Sequence, residues 1–285
     1  GAFKGRGVDI GAERLRHALP DQEQRVDHAD RQQHIEGAAR HIYPEIADGA
    51  HRGAGKAART MTQLALPAKT LVALAPGKDV VYYPNSVEAV FCEPPSPSVV
   101  LPVVPALDEG FAVVFAGNVG AGQAVEVIVA AAEMLLPYPE IRFVVFGQGS
   151  RWNWMQEQVQ ARGLVNLHLP GRFPVNTMPG LMQKAGALLV TLADEAIFAA
   201  TVPNKVQAYM AAGRPIIACL NGEGARLVVE AGAGLSVAAE DARALAAAIL
   251  KVYRMPQEER EVLGQRGRQY FNAHFDHNQD RKSVV

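Results

Sequence analysis

Apolar runs and helical periods alternate along the chain from residue 110 onward. "FAVVFAG" (111–117) and "IRFVVFG" (141–147) are short unbroken apolar runs ending in glycine, the pattern of strands covered on both faces. "LVNLHLPG", "ALLVTL", "PIIACL" and "LSV" continue the series. Between them lie stretches of helical length. One runs through Met134 and stops at Pro137 and Pro139, "SRWNWMQEQVQARG" (150–163) is closed by Gly163, and another spans residues 177–184. "ATVPNKVQAYMAAG" (200–213) and "GARLVVEAGAG" (224–234) follow. In "DARALAAAILKVY" (241–253), Asp241 stands as N-cap while Leu245, Ile249 and Val252 share a face. Strand–helix repetition at this spacing predicts βαβ units and an α/β domain with a doubly wound parallel sheet over residues 110–275.

The first sixty residues have a different texture. They hold five of the eight histidines and eight arginines, with few apolar runs and no clear strand. "EQRVDHADRQQHIEGAARH" (23–41) fits a polar helix. Pattern returns with "MTQLALPAKTLVAL" (61–74), expected as an apolar helix, and "KDVVYYPNSVEAVF" (78–91), a strand meeting a Pro-Asn turn. "CEPPSPSVVLPVVP" is proline-rich and reads as a linker. The expected division is therefore residues 1–92 as a truncated or divergent N-terminal region, 93–109 as linker, 110–275 as the complete domain and 276–285 as a tail.

Composition narrows the function. The chain has 285 residues, is 49% hydrophobic and 20% charged, and carries a net charge of −1. Such a balance argues against nucleic-acid binding, which needs a clustered excess of Lys and Arg. Cys92 and Cys219 have no metal-type spacing and are expected as reduced thiols. No apolar run approaches the length of a membrane span. "HFDH" (274–277) holds possible metal ligands but sits near the chain's end, where a solvated tail is expected, and no metal site is assigned.

The chemistry concentrates where strands meet helices. "AGNVGAGQ" (116–123) follows the first strand of the domain, and glycines there let a backbone approach an anion closely. The order G-x-x-G-x-G is neither the dinucleotide fingerprint nor a P-loop, and Gln148 stands where a ribose-binding acid would end the second strand. A nicotinamide dehydrogenase is disfavoured. Lys205 is the more telling residue. It lies in the opening turn of a helix, behind Asn204, where the helix dipole opposes a cation. Its helix follows the strand at 187–192, at the edge where open α/β sheets bind ligands. A cation there suits a diphosphate; the alternative is an exposed lysine paired with Asp194 or Glu195.

Together, "FAGNVGAGQ", "VVFGQGS", "LPGRFP", "VPNKVQAYMAAGRPIIA" and "NGEGARLVVEAGAGLSV" resemble family-four retaining glycosyltransferases of the GT-B fold. The resemblance points in particular to the bacterial fucosaminyltransferase-like branch that builds O-antigen and capsule-type polysaccharides. "VVYYPNSVE" looks like that family's crossover between its two domains. The likeness implies a Rossmann-like donor domain, a UDP- or GDP-sugar as donor, a glycan or lipid-linked acceptor and no cofactor. It also implies a cytoplasmic enzyme, working beside the inner membrane or with a partner subunit. By position, Gly117, Asn118, Gly120 and Gln123 would lie against the diphosphate or sugar, Lys205 with Asn204 would meet the phosphate, Arg172 would reach the nucleotide, and Glu223 would open a helix at the ligand edge. Many family members carry a basic residue in place of Gln123 and two glutamates eight apart. Here those two positions are Ala200 and Ala208, and Asp194 and Glu195 are the expected substitutes, with Lys205 as catalytic residues. The competing functions are a non-catalytic donor-binding module, half of a split enzyme and, less well supported by acid–base residues, a sugar-nucleotide epimerase.

Overall fold

The computed structural model describes residues 87–93 and 96–275, together with two three-residue strands at 60–62 and 80–82. The polar helix expected at 23–41, most of the apolar helix expected at 61–74, and the tail at 276–285 lie outside the described residues. β1 (Thr60–Thr62) and β2 (Val80–Tyr82) pair in parallel. Met61 and Thr62 are thus strand rather than the start of a helix, because the β-branched threonines flanking Met61 favour an extended chain.

The main sheet has six strands, all parallel: β3 (Phe111–Ala116), β4 (Ile141–Phe146), β5 (Leu167–Gly171), β6 (Ala187–Thr191), β7 (Ile216–Cys219) and β8 (Gly234–Val237). Their order is β5-β4-β3-β6-β7-β8. The chain winds outward one way from β3 and then, from β6, the other way. The reversal opens a crevice between the carboxyl ends of β3 and β6, where ligands of such sheets sit.

Around the sheet stand α1 (Ala89–Cys92), α2 (Pro105–Asp108), α3 (Glu126–Met134), α4 (Trp152–Ala161), α5 (Met178–Gln183), α6 (Ala196–Ala199), α7 (Asn204–Ala212), α8 (Glu223–Glu230), α9 (Ala242–Arg254) and α10 (Gln257–His274). β3 shows why both faces are covered. Phe111, Val113 and Phe115 point into the layer built with α3, α4 and α9, and Ala112, Val114 and Ala116 into the layer with α2, α5, α7 and α10. All six are buried, and each fully buried phenylalanine contributes about 1.5–3 kcal/mol relative to exposure. Asp241 caps α9 as the sequence predicts, its Oδ1 accepting the Ala244 N–H at 2.8 Å, a bond of about 1 kcal/mol.

Two features tie the flanking segments to the domain. In the proline-rich stretch, Val104, Ala106 and Leu107 are buried against the sheet, and Pro105 opens α2. Proline at a first helical position is already set in φ, so a proline-rich segment can still enter a core. The second feature is α10, whose Arg268 returns to grip the start of the domain. Its guanidinium donates to the carbonyl of Ala211 at the end of α7 and, at 2.8 Å, to that of Cys92 at the end of α1. This clamp fixes α1 beside α7 and so beside the crevice.

Candidate donor-binding site

The glycine loop bridges the crevice. Gly117 leaves β3 with φ +138° and donates its N–H to Phe146 at 2.9 Å. Gly147 leaves β4 with the same φ, and a Cβ there would stand 1.8 Å from the Gly117 carbonyl oxygen. Two loops cross at that point because neither residue has a side chain. The loop then reaches β6: the Ala193 N–H donates to Gly122 O at 3.0 Å, and Thr191 Oγ1 donates to the Gln123 carbonyl. Within the loop, Asn118 Nδ2 donates to Gln123 Oε1 at 3.0 Å. A 3-10 turn at Ala121–Gln123 follows, with Ala124 in the left-handed region, and α3 starts at Glu126.

Lys205 lies beneath this bridge. The residue is half-buried, but its Nζ is shut away from solvent and has no hydrogen-bond partner among the described residues. Nζ sits 3.5 Å from the centroid of the Phe115 ring, and a Cβ on Gly117 would stand 3.1 Å from Lys205 Cε. Burial lowers the ammonium's pKa to about 7, since an uncompensated charge is costly away from water. One helical turn on, Tyr209 points the same way. Its Oη accepts the Ala116 N–H at 2.8 Å and donates to the Ala116 carbonyl at 3.3 Å, locking the end of β3 to α7, and burial raises its pKa.

The exposed lysine paired with Asp194 or Glu195 is not what forms. Both acids occupy the exposed turn after β6. Asp194 Oδ1 accepts from Asn221 Nδ2 at 2.7 Å, and Glu195 precedes α6 without a capping bond. Glu223 does open α8, but its carboxylate pairs with Arg226 at 2.7 Å. Asn204 is the exposed first residue of α7, whose N-cap, Pro203, offers no side-chain acceptor. The free N–H groups of that turn therefore keep their capacity for an anion.

Beside the bridge, a cleft of about 450 Å³ runs over the ends of β3, β4 and β5. Gly117, Asn118, Gln148, Arg172 and Phe173 line it, and α1 closes it with Glu88 and Phe91. The structure thus brings Gly117, Asn118 and Arg172 to one cleft, with Lys205 directly under its floor at Gly117, and leaves Glu223 aside. Glu88, Phe91, Phe173 and Tyr209 are absent from the sequence assignment. Tyr209 carries a sequence signal, since four-residue spacing from Lys205 puts both on one helix face. Ala200 and Ala208, where carboxylates would be expected, are both buried. Among the described residues no group of His, Cys, Asp and Glu could hold a metal ion, and no helix is long and apolar enough to cross a membrane.

Solved structures share this architecture. TarM of S. aureus, in a complex with fondaparinux, alpha-GlcNAc-glycerol and UDP, matches with a TM-score of 0.59 at 12% identity, over 79% of this chain and 42% of that one. HepE of Anabaena, holding UDP and glucose, matches at 0.59 and 14% identity, over 79% and 62%. Sucrose-phosphate synthase from Thermosynechococcus elongatus matches at 0.60 and 19% identity, over 79% and 56%. The chain accordingly aligns with between about two fifths and three fifths of the length of these GT-B proteins. None of the curated proteins compared with it matches. The family model for glycosyl transferases group 1 matches residues 110–255, just over half of the chain and all six strands of the main sheet. The chain belongs to the glycosyl transferases group 1 family.

Proposed function

We infer that the crevice binds a nucleotide-diphosphate sugar and that the protein transfers the sugar, with retention, to a glycan or lipid-linked acceptor. The observation that carries this is Lys205: an ammonium without a hydrogen-bond partner among the described residues, under a glycine loop, at the switch point of the sheet. A diphosphate supplies the missing counter-charge. The Gly117–Gln123 bridge shifts as the donor enters, so that Nζ faces the phosphates alongside the free N–H groups of α7. The nucleoside then occupies the cleft, between Arg172 and Phe173 on one side and α1 on the other. Asn118 and Gln123 face the diphosphate or sugar, and the exposed Asp194 and Glu195 stand at the crevice rim to meet sugar hydroxyls.

Transfer breaks the bond between the anomeric carbon and the terminal phosphate oxygen. The acceptor oxygen bonds to that carbon from the same face, and its proton passes to the departing phosphate. Charge develops on the diphosphate, where Lys205 and α7 are already placed to stabilise it. The donor needs no metal or cofactor in this scheme. Residues 1–92 act as the acceptor side, joined by 93–109 to the donor domain, and the reaction belongs to O-antigen or capsule-type polysaccharide assembly at a cytoplasmic membrane surface. Ala200 and Ala208 favour one competing function, a module that binds donor without transferring it, because both lack the carboxylate that would hold a sugar or ribose hydroxyl. A thermal-shift panel of UDP- and GDP-sugars followed by an assay for released nucleotide separates the two. Stabilisation with slow nucleotide release supports transfer, and stabilisation with no release over hours supports the module.

A further inference from the structure

The amino ends of the strands, at the edge opposite the donor crevice, border a second cavity of about 630 Å³. Four cations line it, Lys184, Arg214, Arg254 and Arg260, against two carboxylates, Glu140 and Glu261. Lys184 is engaged by Asp108 at 2.7 Å, and Glu261 accepts from Gln257 Nε2 at 2.8 Å. The three arginines have no ion-pair partner among the described residues. Each is held by something uncharged instead. Arg214 donates through Nε to the Ala185 carbonyl at 2.6 Å. The Arg260 guanidinium lies 5.2 Å from the Phe111 ring centroid, and that of Arg254 5.9 Å from the Tyr138 ring. A carbonyl or a ring orients a guanidinium while leaving its charge and most of its donors unused.

Helix dipoles account for part of this arrangement. Lys184 and Arg254 stand at the ends of α5 and α9, and Arg214 follows the end of α7, all places that favour a cation. Arg260 is different, because it stands in the opening turns of α10, where the dipole gives it no support. Burial and the like charge of Arg260 both hold the Arg214 guanidinium below its ordinary range, which Glu261 offsets only in part. Two like charges facing one cavity are relieved by an anion that bridges them.

We propose that this cavity binds a phosphate-bearing small molecule, with Arg254, Arg260 and the free Nη groups of Arg214 as its donors. The guanidinium fork matches phosphate oxygens in pairs, and a concave site suits a soluble phosphomonoester or pyrophosphate better than a flat lipid surface. It lies roughly 20 Å from the donor crevice, the length of six strand residues, and shares no lining residue with the cleft there.

Inorganic pyrophosphate is the probe, titrated by calorimetry into the Lys205→Met protein so that the donor crevice contributes little. Binding is expected there, together with a rise in melting temperature. Arg254→Gln and Arg260→Gln, each in the same background, should weaken it at least roughly tenfold. Arg260→Gln should not lower the ligand-free melting temperature, because it removes a like charge facing Arg214 at a helix start that gives a cation no support. Vesicles containing phosphatidylglycerol serve as the second arm and should not bind in an Arg260-dependent way. Equal pyrophosphate affinity with and without the arginines overturns the assignment, as does Arg260-dependent vesicle binding without any response to pyrophosphate.

Discussion

Lys205 Nζ rests 3.5 Å from the centroid of the Phe115 ring, and among the described residues nothing accepts a hydrogen bond from it. A ring face attracts a cation by about 1–2 kcal/mol when desolvated, well short of the cost of burying an ammonium. The free protein therefore holds a stored imbalance at the centre of its crevice.

One consequence is a dependence of donor affinity on pH. The Lys205 ammonium has a pKa of about 7 in the free protein, and a bound diphosphate raises it by supplying the opposite charge. Above about pH 7, binding must then take up a proton, and affinity should fall by up to about tenfold per pH unit; below it, affinity should be flat. Titrations at pH 8 in buffers of different ionisation enthalpy should show net proton uptake. Zero uptake would mean that the lysine does not meet the phosphates.

Stability should follow the same group with its own sign. The folded pKa lies below the ordinary lysine value of 10.5, so between about pH 7 and 10.5 the unfolded chain binds a proton that the folded chain lacks. Lys205's contribution therefore makes the protein more stable as pH rises through that window. Lys205→Met removes the dependence and should raise stability near neutral pH by about 1–3 kcal/mol, the penalty of a buried unsatisfied group. Chemical denaturation of both proteins at pH 7 and pH 10 checks it, with a stability gap that narrows at the higher pH.

Gln207 offers a comparison without function attached. It is fully buried in α7, and neither amide atom has a partner among the described residues. Gln207→Met keeps a similar volume and should stabilise the fold by about 1 kcal/mol. A lower melting temperature for this variant would show that the amide is satisfied after all.

The loop can be perturbed without touching the lysine. A Cβ on Gly120 would stand 2.7 Å from Asn118 Nδ2 and 3.1 Å from Gln123 Oε1, so Gly120→Val pushes apart the pair that shapes the bridge. The helix and sheet content seen by circular dichroism should be unchanged while nucleotide-sugar binding is lost. Loss of folding instead would make Gly120 a turn residue only.

Much of the fold was legible in the sequence because buried parallel strands leave uninterrupted apolar runs. β3 and β4 begin where those runs begin and stop one residue short of their closing glycines, and Asp241 marks the start of α9. The N-terminal side was less legible. Met61 and Thr62 sit in a strand of only three residues, too short for a period of two to stand out from a helical one. The candidate site divides in the same way. Lys205 was visible because its charge opposes the helix that carries it. Its burial was not, since that depends on a bridge from Gly117 to Thr191 whose ends are 74 positions apart in sequence. Glu88 and Phe91 reach the cleft through contacts far apart in sequence, such as the bond from Arg268, 176 residues beyond Cys92, to α1.

The role of Lys205 as the diphosphate's counter-charge is the centre of the account, and one calorimetric experiment addresses it. UDP and GDP, which carry the diphosphate without a sugar, are titrated at pH 6.5 into the unaltered protein and into Lys205→Met. At least one nucleotide should bind the unaltered protein, and the substitution should cost about 1.5–3 kcal/mol, or roughly tenfold to a hundredfold in affinity. Equal affinity in the two proteins, or no binding of either nucleotide to the unaltered one, would contradict it.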